Sequence, residues 1–335
     1  MAVLYVVEQG ATLRKTGDRF VVEKGESQLA TVPASKVEQV VIFGSVQLTT
    51  PALVYMLANG IDATFLSVAG RYYGRLLSVE SGFGELRRRY LRLCDDEARS
   101  LAVAQAIVAA KLSNGRTLLQ RAQRDRPERE LALAIDHLEG VIARVGRTTQ
   151  VSSLVGVEGF GTAMYFRGFK QLLRQDFGFA SRVRRPPTDP INVLLSFGYT
   201  LLCYSIQAAV QTVGLDPYVG FLHVPAYSRP SLVLDLMEEF RPVIVDSIIL
   251  RLVNARILRP EHFQRQPECA ERPVLLLDEG RKLFLAAFEE RLNTRVTEPR
   301  GGEQVTLRRL FELQARQIAR LALGEQARYE PWLIR

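Results

Sequence analysis

The hydrophobic pattern of these 335 residues changes period once, near residues 81–84. That change limits the chain to a β-rich part followed by a helical part. Up to residue 80 the runs AVLYVVE, ATLRK, RFVVE and QLATVP are separated by Gly10, Gly17-Asp18 and Gly25-Glu26. Their alternation predicts short strands joined as hairpins. KVEQVVIFG reads as a further strand, and TTPALVYMLANG as a helix with Thr50 before Pro51 at its start and Gly60 after its end. IDATFLS and RYYGRLL return to strand. This part has no histidine, cysteine or cluster of acids, so a scaffold or dimerisation role is expected of it. Ser81-Gly-Phe-Gly84 reads as a hinge. Beyond it, helical spacing runs through 85–113, 115–144, 150–175, 190–214, 231–256, 279–293 and 303–323. The expected fold is α+β: a β-rich N-terminal domain over 1–84 and an all-α domain over 85–335.

Charge follows the same division. The whole chain carries +8, yet residues 1–85 hold seven Lys/Arg against eight Asp/Glu, which leaves the remainder 37 against 28. A helical part at +9 suits a polyanionic partner, and equally a basic enzyme with no nucleic-acid role. Arg182, Arg184 and Arg185 stand out because they lie in a proline-rich loop rather than on a helix surface. Ile191 to Leu215 carries no charge and nears membrane-spanning length. Its polar residues Asn192, Ser196, Thr200, Gln207 and Gln211 fall within about a 100° arc, which predicts a helix at the centre of a bundle and no membrane. The N-terminus lacks signal-peptide features. Cys94, Cys203 and Cys269 form no CxxC pair, which fits a cytoplasmic protein without a structural zinc.

The stretch HVPAYSRPSLVLDLMEEFRP, His223 to Pro242, is the strongest candidate for chemistry. Asp235 and Glu238 lie one helical turn apart within the apolar LVLDLMEEF, where uncompensated carboxylates are costly and a cation would neutralise them. Mg²⁺ and Mn²⁺ take hard oxygen ligands, and Mn²⁺ also accepts imidazole. Pro242 lacks the N–H that would bond the carbonyl of Glu238, so a kink is expected there. A structural reading stays open, because acids in a first turn favour the helix dipole and Arg241 can pair with either. Glu158 sits in SSLVGVEGFGTAMYF with Thr162 and Tyr165 on its face and small neighbours Gly156, Gly159, Gly161 and Ala163. Metal ligation and pairing with an arginine are both open for it. His137 and His262 sit among charged residues and read as surface positions, and His223 alone follows an apolar run.

Several segments resemble the CRISPR adaptation integrases, the Cas-one endonuclease family. They are VEQVVIFGSVQLTTPALVYMLANGIDATFLS, LVGVEGFGTAMYF, RRPPTDPINVLLSFGYTLL, GFLHV, SLVLDLMEEFRP and the terminal ARYEPWLIR, in family order over nearly the whole chain. The resemblance implies a β-rich N-terminal dimerisation domain, an α-helical metal-dependent catalytic domain, homodimers, and assembly with the small Cas-two protein. It implies insertion of foreign double-stranded DNA into a CRISPR array. The family's metal ligands fall on Glu158, His223 and Glu238, with Asp235 as a fourth ligand or an orienting group. Some members have aspartate where Glu238 stands, and Glu239 lies outside the pattern. The expected reaction is attack of a DNA 3′-hydroxyl on a phosphodiester with Mg²⁺ or Mn²⁺, or attack by water, which nicks DNA. Arg182, Arg184, Arg185 and Arg241 are expected to meet phosphates. Two other readings remain: a non-catalytic basic DNA-binding scaffold, and a metal hydrolase of small phosphoesters.

Overall fold

A computed structural model describes residues 2–68, 72–76, 83–223, 226–227, 229–266, 268–271, 273–298 and 302–334. The chain forms two compact units, Met1–Gly82 and Phe83–Arg335. Of the expected hinge, Ser81 and Gly82 lie outside the described residues.

The first unit has strands β1 (Ala2–Val6), β2 (Thr12–Thr16), β3 (Arg19–Lys24), β4 (Ser27–Pro33), β5 (Val37–Phe43) and β6 (Gln47–Leu48). Helix α1 (Thr50–Ala58) and strands β7 (Asp62–Leu66) and β8 (Tyr72–Leu76) follow. One sheet has the order β4-β3-β2-β6, with antiparallel hairpins and β6 parallel to β2. The other is β1-β5-β7-β8. Here β1 does not turn back on β2 but pairs in parallel with β5, which in turn pairs in parallel with β7. Leu13, Phe20, Val40, Ile42, Ala52 and Met56 form a continuous core between strands and helix. The N-cap of α1 is Thr49 rather than Thr50, and its side chain makes no capping bond.

The second unit contains α2 (Gly84–Asp95), α3 (Glu97–Asp125), α4 (Arg129–Val145), α5 (Val151–Leu172), α6 (Pro190–Thr212), α7 (Ser231–Met237) and α8 (Ser247–Asn254). A short hairpin, β9 (Phe263–Arg265) with β10 (Val274–Leu276), precedes α9 (Asp278–Leu292). A second, β11 (Arg295–Thr297) with β12 (Gln304–Thr306), precedes α10 (Leu307–Leu323). These hairpins were not expected, since three-residue strands are too short to show a period. The expected helix 85–113 is two helices, because the Asp96 side chain accepts from the Arg99 N–H and starts a new one. The expected break near residue 114 is absent, and α3 runs on to Asp125.

Helices α3, α4 and α5 pack mutually. Gly161 and Gly168 permit it: a Cβ at either would lie 2.7 Å from Leu112 or 2.6 Å from Leu119. The uncharged α6 packs against α7, α10 and β10, and its polar stripe is used internally. Asn192 is fully buried, donates to the Ser181 carbonyl and accepts from Arg182 Nη1 and the Val183 N–H. Arg182 Nη2 also reaches Ser196 Oγ. The stripe therefore anchors the arginine loop that follows α5. After α7 the α-helical bonding lapses, and Pro242–Asp246 form a π turn in which the Asp246 N–H reaches the Arg241 carbonyl. The kink expected at Pro242 is thus a stretch of widened helix.

Candidate metal centre

Glu158 and Glu238 meet at one position through Lys111, and His223 is near enough to act on the charge of Glu238. Glu158 stands midway along α5, Glu238 directly follows α7, and His223 lies in the loop ahead of α7. Lys111, buried in the apolar IVAAKL run of α3, points its ammonium between the two glutamates. Lys111 Nζ is 2.8 Å from Glu238 Oε2 and makes a short ion pair with Glu158 Oε1. Thr162 Oγ1, one turn on from Glu158, donates to the same Oε1 at 2.8 Å. Arg241 Nε lies 3.1 Å from Glu238 Oε2, and its guanidinium covers the Tyr199 ring at 4.5 Å. Burial by itself would raise the pKa of Glu238. Arg241 and Lys111 outweigh it, with a smaller contribution from His223, and bring the group down to about 2.

Asp235 is fully buried and committed. Its Oδ2 accepts from the N–H groups of Phe221 and Leu222 at 2.6 and 3.0 Å, and its Oδ1 from the N–H of His223 at 3.1 Å. Oδ1 also meets His223 Nδ1 at 2.6 Å. A carboxylate only accepts, so Nδ1 carries the hydrogen and Nε2 is left as the lone-pair nitrogen. Gly220 makes this wrapping possible: a Cβ there would sit 2.6 Å from Asp235 Oδ2 and 2.8 Å from the Ser231 backbone. These bonds occupy both Asp235 oxygens and hold the His223 ring in place.

Among the described residues, no three His, Cys, Asp or Glu side chains stand ready at metal spacing. The position between Glu158 and Glu238 nevertheless holds a cation, the Lys111 ammonium. Two carboxylates from separate segments and an imidazole with its Nδ1 already fixed make a hard oxygen-and-nitrogen set that fits Mg²⁺ or Mn²⁺. A lysine on a flexible stem is the kind of occupant such an ion would displace.

The other candidate residues meet partners of their own. Arg182 and Arg241 are turned inward onto Asn192, Ser196, Glu238 and Tyr199, whereas Arg184 and Arg185 are exposed. Tyr165 does not join Glu158; its hydroxyl donates to Asp246 Oδ2 at 2.6 Å, and that of Tyr199 donates to Oδ1 at 2.7 Å. Burial raises Asp246 to about 6 against those two bonds and the charges of Arg241 and Arg182. Gly156 and Gly159 face open space, so of the glycines beside Glu158 only Gly161 serves a close approach, to Leu112 and Val141. His262 is buried, accepting from the Arg259 N–H at Nδ1, while His137 is exposed as expected. Glu239 is structural: Tyr329, Gln314 and the Trp332 N–H bond its carboxylate. Burial raises it to about 7 against those bonds. Lys111 and Asp246 were missed in the sequence, although each is a lone charge inside an apolar run, IVAAKL and VIVDSIIL.

A family model described as CRISPR associated protein Cas1 matches residues 4–290. Over 340 residues the chain is 39% identical to a CRISPR-associated endonuclease Cas1 of Rhodospirillum rubrum, covering 98% of this chain and 97% of that one. The solved structure of a CAS1 protein from Thermotoga maritima matches with a TM-score of 0.83 at 26% identity, covering 98% of both chains. A chain of a Cas6-RT-Cas1–Cas2 complex matches with a TM-score of 0.83 at 26% identity, over 99% of this chain and 36% of that one. With a helical unit built around this carboxylate centre, a family model spanning most of the residues and a relative similar along its whole length, the chain belongs to the Cas1 family of CRISPR associated proteins.

Proposed function

We propose that the protein is a metal-dependent DNA endonuclease and integrase that joins DNA 3′ ends to a CRISPR array. One observation carries the reading: Glu158 and Glu238 share a single cation position beside a histidine whose tautomer a buried carboxylate sets. Glu158, Glu238 and Nε2 of His223 would hold Mg²⁺ or Mn²⁺. When bound, the ion supplies Lewis acidity to the attacking hydroxyl and to the phosphate oxygens.

The remaining work falls to the chain's own residues. Asp235 keeps the His223 ring oriented, and Thr162 fixes the rotamer of Glu158. Lys111 and Arg241 are cations at the reaction position. Once Lys111 leaves the glutamates it offers its charge to a phosphate, while Arg241 stays on Tyr199. A small cleft of about 30 Å³ beside them is lined by Lys111, Thr162, Tyr165, Arg182, Tyr199 and Arg241. Arg184 also lines it, and the exposed Arg184 and Arg185 meet phosphates. No protein nucleophile is required. The β-rich N-terminal domain, residues 1–84, serves homodimerisation and the helical domain, 85–335, catalysis. The relative found in a complex with Cas2 supports a Cas2 partner for this chain.

The test is replacement of Glu158, His223 or Glu238 by alanine with strand joining assayed in Mn²⁺. Loss of joining by at least 100-fold in folded protein is expected, and undiminished joining by all three would remove the assignment. The ion pairs of Lys111 and Arg241 with the glutamates also favour a second reading, a basic DNA-binding scaffold with structural acids. It predicts DNA binding indifferent to EDTA and no joining with any metal.

A further inference from the structure

The terminal ARYEPWLIR plays no part in the chemistry above, yet its backbone and side chains reach the two segments that carry that chemistry. Tyr329 OH donates to Glu239 Oε1 at 2.8 Å, and the Trp332 N–H donates to Oε2 at 2.6 Å. Asn114 Nδ2 donates to the carbonyls of Glu239 and Trp332 at 2.8 and 3.0 Å, and Asn114 Oδ1 accepts from the Ile334 N–H at 3.0 Å. The Glu330 carbonyl and N–H are bonded by Gln317 at 2.9 and 3.1 Å. The Trp332 ring is stacked on Phe240, 16° from parallel with centroids 6.1 Å apart.

The polar groups held this way are almost wholly removed from water: Asn114 is 0% exposed, Glu239 1% and Gln317 3%. Without the tail, Glu239 would lose two of its donors and Asn114 two of its three partners, and the fixed bonds would give way to mobile solvent. Glu239 is the residue after Glu238. Asn114 lies one helical turn beyond Lys111. The tail thus grips, one step removed, the two segments that form the cation position from opposite sides.

We propose that Arg328–Ile334 is a positioning strap for the carboxylate centre, with Tyr329 and Trp332 acting through Glu239 and Asn114 to set Glu238 against Lys111. The strap presupposes the metal site proposed above. Its backbone-mediated hold explains how a terminal segment with no group at the site still shapes it: Trp332 and Ile334 engage Asn114 through main-chain atoms, and their apolar side chains supply only packing.

The test uses the whole protein, a form ending at Glu325, and a synthetic peptide of residues 326–334. Mn²⁺ affinity is read by electron paramagnetic resonance, helix content by circular dichroism, and strand joining by kcat and KM. The shortened form is expected to keep its helix content, bind Mn²⁺ at least tenfold more weakly and lose kcat while its KM for DNA holds. Saturating peptide restores both affinity and kcat. Equal Mn²⁺ affinity and kcat in the shortened and whole proteins would overturn the strap, and so would a loss that the peptide leaves unchanged. Should the shortened form fail to fold, Tyr329→Phe and Tyr329→Phe with Gln314→Leu decide the question in its place. A stepwise weakening of Mn²⁺ binding supports the strap, and affinity equal to the unaltered protein overturns it. A whole protein that binds no Mn²⁺ rejects the metal site and the strap with it, whereas metal bound equally with and without the tail rejects the strap alone.

Discussion

Lys111 and Asp235 show how single buried charges are managed in this protein. Lys111 neutralises two glutamates at once, so Lys111→Met leaves both carboxylates with one fewer cation. Its loss is expected to lower the melting temperature in EDTA and to tighten Mn²⁺ binding by about 10- to 100-fold, as calorimetry would register. Weaker Mn²⁺ binding in this variant would mean that lysine and metal do not share the position. Asp235→Asn turns an amide NH₂ toward backbone donors that need acceptors. It is expected to weaken Mn²⁺ binding about 10- to 100-fold. The two buried acids with opposite pKa displacements give opposite pH effects. Asp246 is raised from 3.8 to about 6, so its stabilising share is complete below 3.8 and is lost as the pH climbs through 6. Glu238 is lowered from 4.5 to about 2, so its share is complete above 4.5 and is lost as the pH falls through 2. Melting curves of Asp246→Asn should therefore decline less between pH 4 and 6 than those of the unaltered protein, and Glu238→Gln should flatten the acid limb below 4.5.

The elements carry a second division, between glycines that serve packing and glycines that face outward. Gly161 of α5 lies against Leu112 and Val141, whereas Gly159 of the same helix meets nothing within 4 Å. Gly161→Val is expected to destabilise by about 1–3 kcal/mol through overpacking. Gly159→Ala is expected to stabilise by about 0.5–1 kcal/mol through helix propensity. Denaturant midpoints read both, and a Gly159→Ala midpoint below that of the unaltered protein would show that this face is closed by something in solution. The widened turn at Pro242–Asp246 has a comparable local cause: a proline without an N–H leaves a carbonyl unbonded, and the backbone finds its next partner one residue further on.

Across the whole molecule the excess charge resides in the second unit, while the first is close to neutral. DNA affinity should accordingly fall steeply with salt, log Kd rising linearly with log salt concentration. Replacing the exposed Arg184 and Arg185 together by glutamine should weaken binding alike for all sequences and reduce that slope by about 2. A slope unchanged in the double variant would place the phosphate path elsewhere on the basic unit. Arg182→Gln, in contrast, removes the bonds to Asn192 and Ser196, and should cost stability before it changes DNA binding.

What was legible in advance follows a physical line. Strands β1–β5, β7 and β8, most helical stretches and the buried α6 were readable because burial imposes a period of 2 or 3.6 on the residues themselves. Glu158, His223, Asp235 and Glu238 were readable as polar groups set in apolar runs, and as motifs of a resembling family. Sequence alone could not say which partner each would meet, since that depends on side chains that approach one another only in the folded chain. The ammonium between Glu158 and Glu238, the pairing of Asp235 with a loop histidine, the inward turn of Arg182 and Arg241, and the tail fastened to Glu239 all arise that way. The chain determines by itself where charge is forced inside. Only the packed fold decides what neutralises it, because electrostatic and hydrogen-bond partners are chosen by distance in space and not along the backbone.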